Sequence, residues 1–460
     1  MTRLPQGGQI DRSRDLAVLF DGRQLTAHPG DTLASALLAN GIRLVGRSFK
    51  YHRPRGLLAA GCEEPNALVT IGSGAAATPN VRATVQEVHE GLVATSQNRW
   101  PSLRADALAL NDLAAPLIGA GFYYKTFMWP RRFWERVYEP LIRRAAGLGA
   151  LSGLPDPDRS DKAFAFCDLL VIGAGPAGLM AALTAGRAGA RVILADEDFR
   201  LGGRLNAERL EVGGRSGIDW AAAAAAELAA LPNVTLMPRT TVTGLYDGGT
   251  FGALERVGAH LGLQRAEDAP LDCFWRIAAR RAVLCAGALE RPIAFPDNDR
   301  PGVMLAGAVR AYLNRWAVAP GRRVAVFTNN DDGWRTASDL AAAGVAVVAL
   351  IDSRPDATPP DGPWRILRGA VVTGTRGRHG LRAIAVRDAG GARQIEADCL
   401  AVSGGWNPTL HLACHLNGRP DWRTIDADKR SYLAGGLDAV GVTHASILFP
   451  LDGPGATATP

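Results

Sequence analysis

Apolar residues run unbroken through Leu169-Leu170-Val171-Ile172 and stop at Gly173-Ala174-Gly175-Pro176-Ala177-Gly178, after which Leu179-Met180-Ala181-Ala182-Leu183 resumes the apolar character. A short continuous apolar run bounded by glycine reads as a buried strand, and the longer alanine-rich stretch behind it as a helix. A second run, Arg191–Ala195, ends in Asp196-Glu197 and completes a strand–helix–strand unit. Near the start of the chain, Leu16–Phe20 and Arg23–Leu25 flank Asp21-Gly22, a strong hairpin signal. A helix is predicted after Asp31 or Thr32 as N-cap, stopping at Gly41. Strands are predicted at 67–71 and 83–88. Residues 99–165 show little strand signal and carry dense aromatics, Phe122 to Trp129 with Phe133-Trp134. Such a patch packs against another domain or subunit. Strands return at 234–238, 241–246 and 280–288. A second strand–helix–strand unit covers 321–352, and 366–402 read as strands.

These patterns predict an α/β chain with a Rossmann-like parallel sheet behind a small β-grasp domain. The expected division is 1–98 as β-grasp, 99–165 as linker, 166–320 with 390–445 as the dinucleotide-binding domain, 321–389 as a second nucleotide-binding-like subdomain, and 446–460 as a disordered tail.

The glycine spacing carries the chemistry. Gly173 allows the tight turn, Gly175 lets the backbone approach a pyrophosphate, and Gly178 lets helix and strand pack closely. The helix N-terminus offers free N–H groups and partial positive charge to phosphates. Asp196 and Glu197 fall about 20 residues further on, where a carboxylate meets a ribose hydroxyl. The turn at 329–333 lacks the glycine pattern, and Asp331 and Asp332 would repel a phosphate.

The chain has 460 residues, net charge +6 and a pI near 9.2. This mild basicity fits a solvated surface or an acidic partner subunit. No aromatic-interleaved basic motif of a nucleic-acid binder is present. The loop Gly46–Gly56 concentrates Arg47, Lys50, His52, Arg53 and Arg55 with two aromatics. Composition gives it as a solvated loop; the other reading is a surface approaching a flavin phosphate or an acidic partner. The six cysteines include no C-x-x-C pair, a reduced, cytoplasmic pattern. The N-terminal residues do not form a signal peptide, and no run of eighteen apolar residues predicts a membrane span. A two-iron plant-type cluster takes four cysteines in C-x4-C-x2-C…C spacing, and residues 1–98 contain Cys62 alone, so no iron–sulfur cluster is expected. His411 and His415 have helical metal spacing without a third ligand nearby, so no metal is expected. No catalytic residue is assigned, since neither Gly-x-Ser-x-Gly nor a redox cysteine pair occurs.

The β-grasp start, the Gly46–Gly56 loop, the Gly173–Gly178 turn, Cys285-Ala286-Gly287-Ala288-Leu289-Glu290-Arg291-Pro292 and Val402–Pro408 occur in this order in the alpha subunits of heterotetrameric sarcosine oxidases. The chain resembles that family over roughly residues 5–410. The resemblance implies a two-dinucleotide-binding-domain flavoprotein fold preceded by a ferredoxin-like domain. It implies a resident NAD held by Gly173, Gly175, Pro176, Ala177 and Gly178, with Asp196 and Glu197 on the adenosine ribose. Arg204 is expected to reach a phosphate or ribose, Val242 to meet the adenine edge through its backbone, and Gly287 to line the site. The resemblance further implies a cytoplasmic complex with beta, gamma and delta subunits. FAD would oxidise the amine in the beta subunit, FMN would lie at the alpha–beta contact, and zinc would belong to delta. Sarcosine would be demethylated to glycine and O2 reduced to hydrogen peroxide. The family's alpha subunit is about twice as long, with a folate-binding, aminomethyltransferase-like domain beyond the part matched here. Subunits of opine, proline or hydroxyproline dehydrogenases are the alternative. A self-contained FAD- or NAD-dependent reductase and a scaffold without cofactor are further readings.

Overall fold

The computed structural model describes residues 2–116, 119, 121, 129–145, 147–415, 431–434, 437–440 and 447–450. The aromatic stretch 122–128 therefore lies outside the described residues. The chain forms two compact units, Met1–Pro157 with Pro292–Gly404, and Asp158–Arg291 with Gly405–Pro460.

The first unit opens with β1 (Leu16–Phe20) and β2 (Arg23–Ala27), joined by Asp21 and Gly22, both at positive φ as a primed hairpin turn requires. Helix α1 (Leu33–Ala39) starts at Thr32, whose hydroxyl accepts the Ser35 N–H while the Ser35 hydroxyl accepts the Thr32 N–H. Strands β3 (Leu68–Ile71), β4 (Thr78–Arg82) and β5 (Leu92–Ser96) complete a five-stranded sheet in the order β2-β1-β5-β3-β4. The strand expected at 83–88 is a turn, fixed in part by the Thr84 hydroxyl donating to the Gly61 carbonyl.

Buried charged groups organise the loops beside this sheet. The Glu64 carboxylate, 1% exposed as a residue, accepts N–H groups from Leu58, Ala59, Asn66 and Ala67 at 2.7–3.2 Å. Burial pushes its pKa up, and the four N–H groups offset this only in part. The basic loop is not a solvated face. Arg47 is buried and donates to the carbonyls of Leu103 and His52, and His52 Nδ1 lies 2.8 Å from the buried Asp106 carboxylate. Arg53 pairs with Asp297 and Asp299, and Arg55 with Asp299.

The second unit is built on two long central strands, β6 (Ser160–Ile172) and, further along, Asp272–Leu284. After β6 come α2 (Pro176–Arg187), β7 (Val192–Ala195), α3 (Gly217–Ala230), β8 (Val234–Met237), β9 (Thr240–Tyr246) and β10 (Thr250–Arg256). The second long strand is β11, followed by β12 (Ala288–Glu290). The sheet runs β8-β7-β6-β11-β10-β9; β8, β7, β6 and β11 are mutually parallel, and β10 and β9 continue antiparallel. Helices α2 and α3 cover one face through Leu179, Leu183, Ala221 and Leu228. The domain starts earlier than the expected residue 166, because Ser160–Phe166 pairs with Asp272–Ala278.

The chain then returns to the first unit. Strand β13 (Val303–Leu305), α4 (Ala306–Trp316), β14 (Arg323–Thr328), α5 (Asp332–Ala342), β15 (Ala346–Asp352) and β16 (Arg365–Arg368) lead to a three-stranded antiparallel sheet of β17 (Val371–Arg376), β18 (Ala383–Asp388) and β19 (Gly391–Glu396), then β20 (Cys399–Ser403). A parallel sheet forms in the order β13-β20-β14-β15-β16. This corrects the expected boundaries at 320 and 390, which fall at 291 and 405. Val303–Leu305 pairs with Leu400–Val402, so both segments belong to this sheet. The N-terminal module does not stand alone either: Leu33, Leu37 and Leu92 share one apolar core with Tyr312, Trp316 and Val324.

Two strands after residue 404 rejoin the second unit. Strand β21 (Trp406–Pro408) pairs antiparallel with β12, and β22 (Ile447–Pro450) with Arg281–Leu284. The tail expected to lack structure thus contains β22, whose backbone bonds to β11; residues 451–460 lie outside the described residues. No helix among the described residues is long and apolar enough to cross a membrane.

Removing the Glu64 carboxylate strands four N–H donors in a site closed to water. Glu64→Ala is expected to cost about 3 kcal/mol or more, read as a fall in the urea midpoint. An unchanged midpoint would show that the loop does not depend on this carboxylate.

Candidate functional site

The carboxyl ends of β7, β6 and β11 lie side by side, and the candidate residues from the glycine turn cluster there. Gly173 has φ +100°, and a Cβ on it would lie 2.4 Å from the Cys285 carbonyl oxygen. A Cβ on Gly178 would lie 1.8 Å from the Gly173 carbonyl oxygen. Both positions are therefore closed to a side chain. Gly175 is the opposite case: it is the N-cap of α2, followed by Pro176 at the first helical position and then Ala177, and a Cβ on it would meet nothing within 4 Å. No side chain caps α2. Its first N–H groups and dipole therefore face an open space bounded by closed glycine contacts, which fits a pyrophosphate.

A second glycine turn, Gly202-Gly203, packs onto the first. Gly202 donates to the Ala174 carbonyl at 2.8 Å, and a Cβ on Gly203 would lie 2.8 Å from Gly175 Cα. Arg204 follows this turn. Its guanidinium sits 3.8 Å over the Trp406 ring and pairs with Glu208.

Asp196 ends β7. Its carboxylate accepts the Ala174 N–H at 2.5 Å and the Asp198 N–H at 2.8 Å, tying the end of β7 to the glycine turn. Enclosure, followed by the charge of Asp198, pushes its pKa up to about 7, the two N–H bonds acting in the opposite sense. Glu197 is exposed, and its carbonyl accepts from Arg256 at 2.8 Å. Val242 lies at a register shift in β9, its side chain half-buried against the core; two residues before it, the Thr240 N–H donates to the Asp196 carbonyl at 2.7 Å. Gly287, at φ +63°, turns between β11 and β12, and its carbonyl accepts the Thr409 N–H at 2.9 Å.

The sequence reading used Val402–Pro408 for the resemblance but named no site residue at Gly203 or within Trp406–Thr409. The Gly-Gly pair before Arg204 was the available signal for the first. The second needed the β12–β21 pairing, which no local pattern shows. His415 Nδ1 accepts the Leu245 N–H at 3.3 Å, a structural role, and no group of three or more His, Cys, Asp or Glu side chains able to hold a metal occurs among the described residues. Burial pushes the thiols of Cys167, Cys285 and Cys399 up to about 12, so they are inert at neutral pH. A cavity of about 490 Å³ opens at the other end of the sheet, by Cys167, Val192 and Asn233. It lies away from the strand carboxyl ends where α/β sheets bind ligands.

Comparison with known proteins adds two family matches. Residues 168–212, which span the glycine turns and Asp196, match the FAD dependent oxidoreductase family. Residues 13–99 match a 2Fe-2S iron-sulfur cluster binding domain. This second match corrects the expectation that no iron–sulfur cluster belongs to this module, which rested on cysteine count alone. Cys62 is the one cysteine within that span, where a plant-type cluster takes four thiolates. The residues present do not by themselves complete such a ligand set.

The crystal structure of L-proline dehydrogenase from P. horikoshii superimposes with a TM-score of 0.61 at 20% identity, covering 94% of this chain and 69% of that one, and shows the shared flavoprotein oxidoreductase fold. The sarcosine oxidase subunit alpha of Rhizobium meliloti (strain 1021) is 57% identical over 94% of this chain and 44% of its own length. That of Corynebacterium sp. (strain U-96) is 38% identical over 96% of this chain and 43% of its own. The chain thus spans less than half the length of these curated relatives. Near-complete alignment of its own residues, on a shared fold with the glycine turn intact, places it in the family of sarcosine oxidase alpha subunits.

Proposed function

We propose that this chain is the dinucleotide-holding part of an alpha subunit in a sarcosine oxidase complex. The observation that carries the reading is the open space at Gly175 between contacts at Gly173, Gly178 and Gly203 that admit no side chain. In this reading the resident dinucleotide is NAD, and such a group supplies hydride transfer when bound. The chain's residues do the holding. The α2 N-terminus receives the pyrophosphate, and Asp196 accepts from the adenosine ribose. Gly287, Val242 and Glu197 border the site, and Arg204 braces it.

The amine-oxidising step belongs to a beta subunit carrying FAD, with FMN at the alpha–beta contact and gamma and delta subunits completing the complex. Sarcosine becomes glycine there, and O2 becomes hydrogen peroxide. The N-terminal module is read as ferredoxin-like. Support for placing the chemistry in a partner comes from this chain: four of its cysteines are buried with raised thiol pKa values, and its histidines form no metal group among the described residues. These features disfavour a self-contained disulfide-type reductase.

Mass spectrometry of the denatured purified chain is expected to release NAD. Release of FAD would favour the self-contained flavoprotein, and an empty chain would sink the dinucleotide reading. Gly175→Val is expected to abolish nucleotide retention while keeping the melting temperature of the nucleotide-free protein within about 2 °C, because its side chain enters open space. Retention at wild-type level would place the site elsewhere.

The raised pKa of Asp196 gives a pH signature. Its folded value of about 7 exceeds the ordinary 3.8, so the folded chain keeps a proton that the unfolded chain releases. Its contribution to stability is fullest below about pH 4 and lost by about pH 7. A ribose hydroxyl donates best to the ionised carboxylate, so nucleotide affinity should rise between about pH 6 and pH 8. Asp196→Asn should flatten that rise in a calorimetric titration; an unaltered slope would remove Asp196 from ribose binding.

A further inference from the structure

Buried polar atoms in folded proteins almost always have partners, and exceptions call for an explanation. Three exceptions fall within four residues of one another: Trp406 Nε1, Asn407 Oδ1 and Thr409 Oγ1 are each buried without a hydrogen-bond partner. Among the described residues no other stretch this short gathers three such atoms. The segment is firmly placed. Trp406, Asn407 and Pro408 pair with Glu290, Leu289 and Ala288, the Arg291 N–H donates to the Gly405 carbonyl at 2.8 Å, and Thr409 donates to Gly287.

We propose that Trp406, Asn407 and Thr409 bind the redox ring of the dinucleotide, an amide- or imide-bearing ring, and that the three atoms are paired only when it is present. This rests on the dinucleotide reading above. The sheet order gives the direction: β6 lies between β7 and β11. With the pyrophosphate over the β6 turn and the adenosine ribose at Asp196 on the β7 side, the other half of the ligand extends to the β11 side. There the Gly287 turn and residues 406–409 form the wall. The atom types agree. An indole N–H can only donate and Asn407 Oδ1 can only accept, while a hydroxyl does either. An ionised phosphate offers no donor to Asn407 Oδ1. A carboxamide or a flavin imide offers a carbonyl and an N–H together.

The test uses the nucleotide-free full chain and calorimetric titration with NAD, FAD and ADP-ribose, which lacks a redox ring. Asn407→Leu and Thr409→Val are expected to weaken whichever of NAD or FAD the wild type binds by about tenfold, the loss of one buried hydrogen bond, and to leave ADP-ribose within about twofold. The melting temperature of the nucleotide-free variants should not fall, because each change removes an unpaired buried atom. Trp406→Phe, which keeps the ring under Arg204 and removes only the N–H, should repeat the pattern. Equal losses for ADP-ribose, or no loss for any ligand, would overturn the assignment while leaving the dinucleotide site standing. Wild-type protein that binds none of the three would overturn the assignment together with the dinucleotide reading.

Discussion

The contact between Gly173 and the Cys285 carbonyl is the constraint on which the second unit depends. Strands β6 and β11 run in parallel register from Ser160 and Asp272 to Ile172 and Leu284, so their ends arrive together. The turn leaving β6 must then cross directly in front of the end of β11. Only a residue without a Cβ fits at 173, and only another fits at 178, where α2 starts back over the turn. Overpacking of a well-filled interior costs roughly 1–3 kcal/mol even where neighbours can shift, and here the neighbours are backbone. Once these contacts close, α2 has a fixed direction and its N-terminus has a fixed target. The open space at Gly175 is what remains when every adjacent glycine is spoken for.

The first unit is held differently, by charged groups taken out of water and matched. Glu64 collects four N–H donors, and Asp106 sits against His52 and Arg47. The fully buried Arg310 meets Asp332 at 3.0 Å. Breaking one partner of such a set leaves an uncompensated charge, at a cost of about 3–5 kcal/mol, well above the value of an exposed pair. This is how a loop dense in cations is held inside the fold. Its guanidinium groups are bonded to carbonyls and carboxylates of the same unit, two of which, Asp297 and Asp299, lie more than 200 positions away in sequence.

Features set by local chemistry were readable from the sequence. The Asp21-Gly22 hairpin, the Thr32 cap and the strand–glycine–helix passage at 169–183 each follow from residues within a few positions. The misplaced boundaries have a common cause in long-range pairing. Val303–Leu305 is too short to announce which sheet it joins, and its partner Leu400–Val402 lies almost a hundred residues away. The role of Glu64 was hidden for a related reason. Its four N–H partners are brought together only by the way residues 58–67 fold around it, which no local pattern announces. The candidate site was legible where backbone geometry makes it, at the glycines, and illegible where a distant strand completes it, at Trp406–Thr409.

Arg204 shows how these two kinds of information meet. By position after the Gly-Gly turn it is a phosphate-reaching cation. Its guanidinium lies over the Trp406 ring and pairs with Glu208, a geometry in which a partly desolvated cation–π contact contributes on the order of 2 kcal/mol. The brace joins the turn that closes on Gly175 to the strand that closes on Gly287. On the proposed reading, phosphate recognition would then rest on backbone N–H groups and the helix dipole, which accept any pyrophosphate alike. On that reading, selectivity among dinucleotides would come from the two ends, from the Asp196 carboxylate on one side of β6 and the polar atoms beyond β11 on the other. Those ends are fixed relative to each other by the same register that forces Gly173 against Cys285.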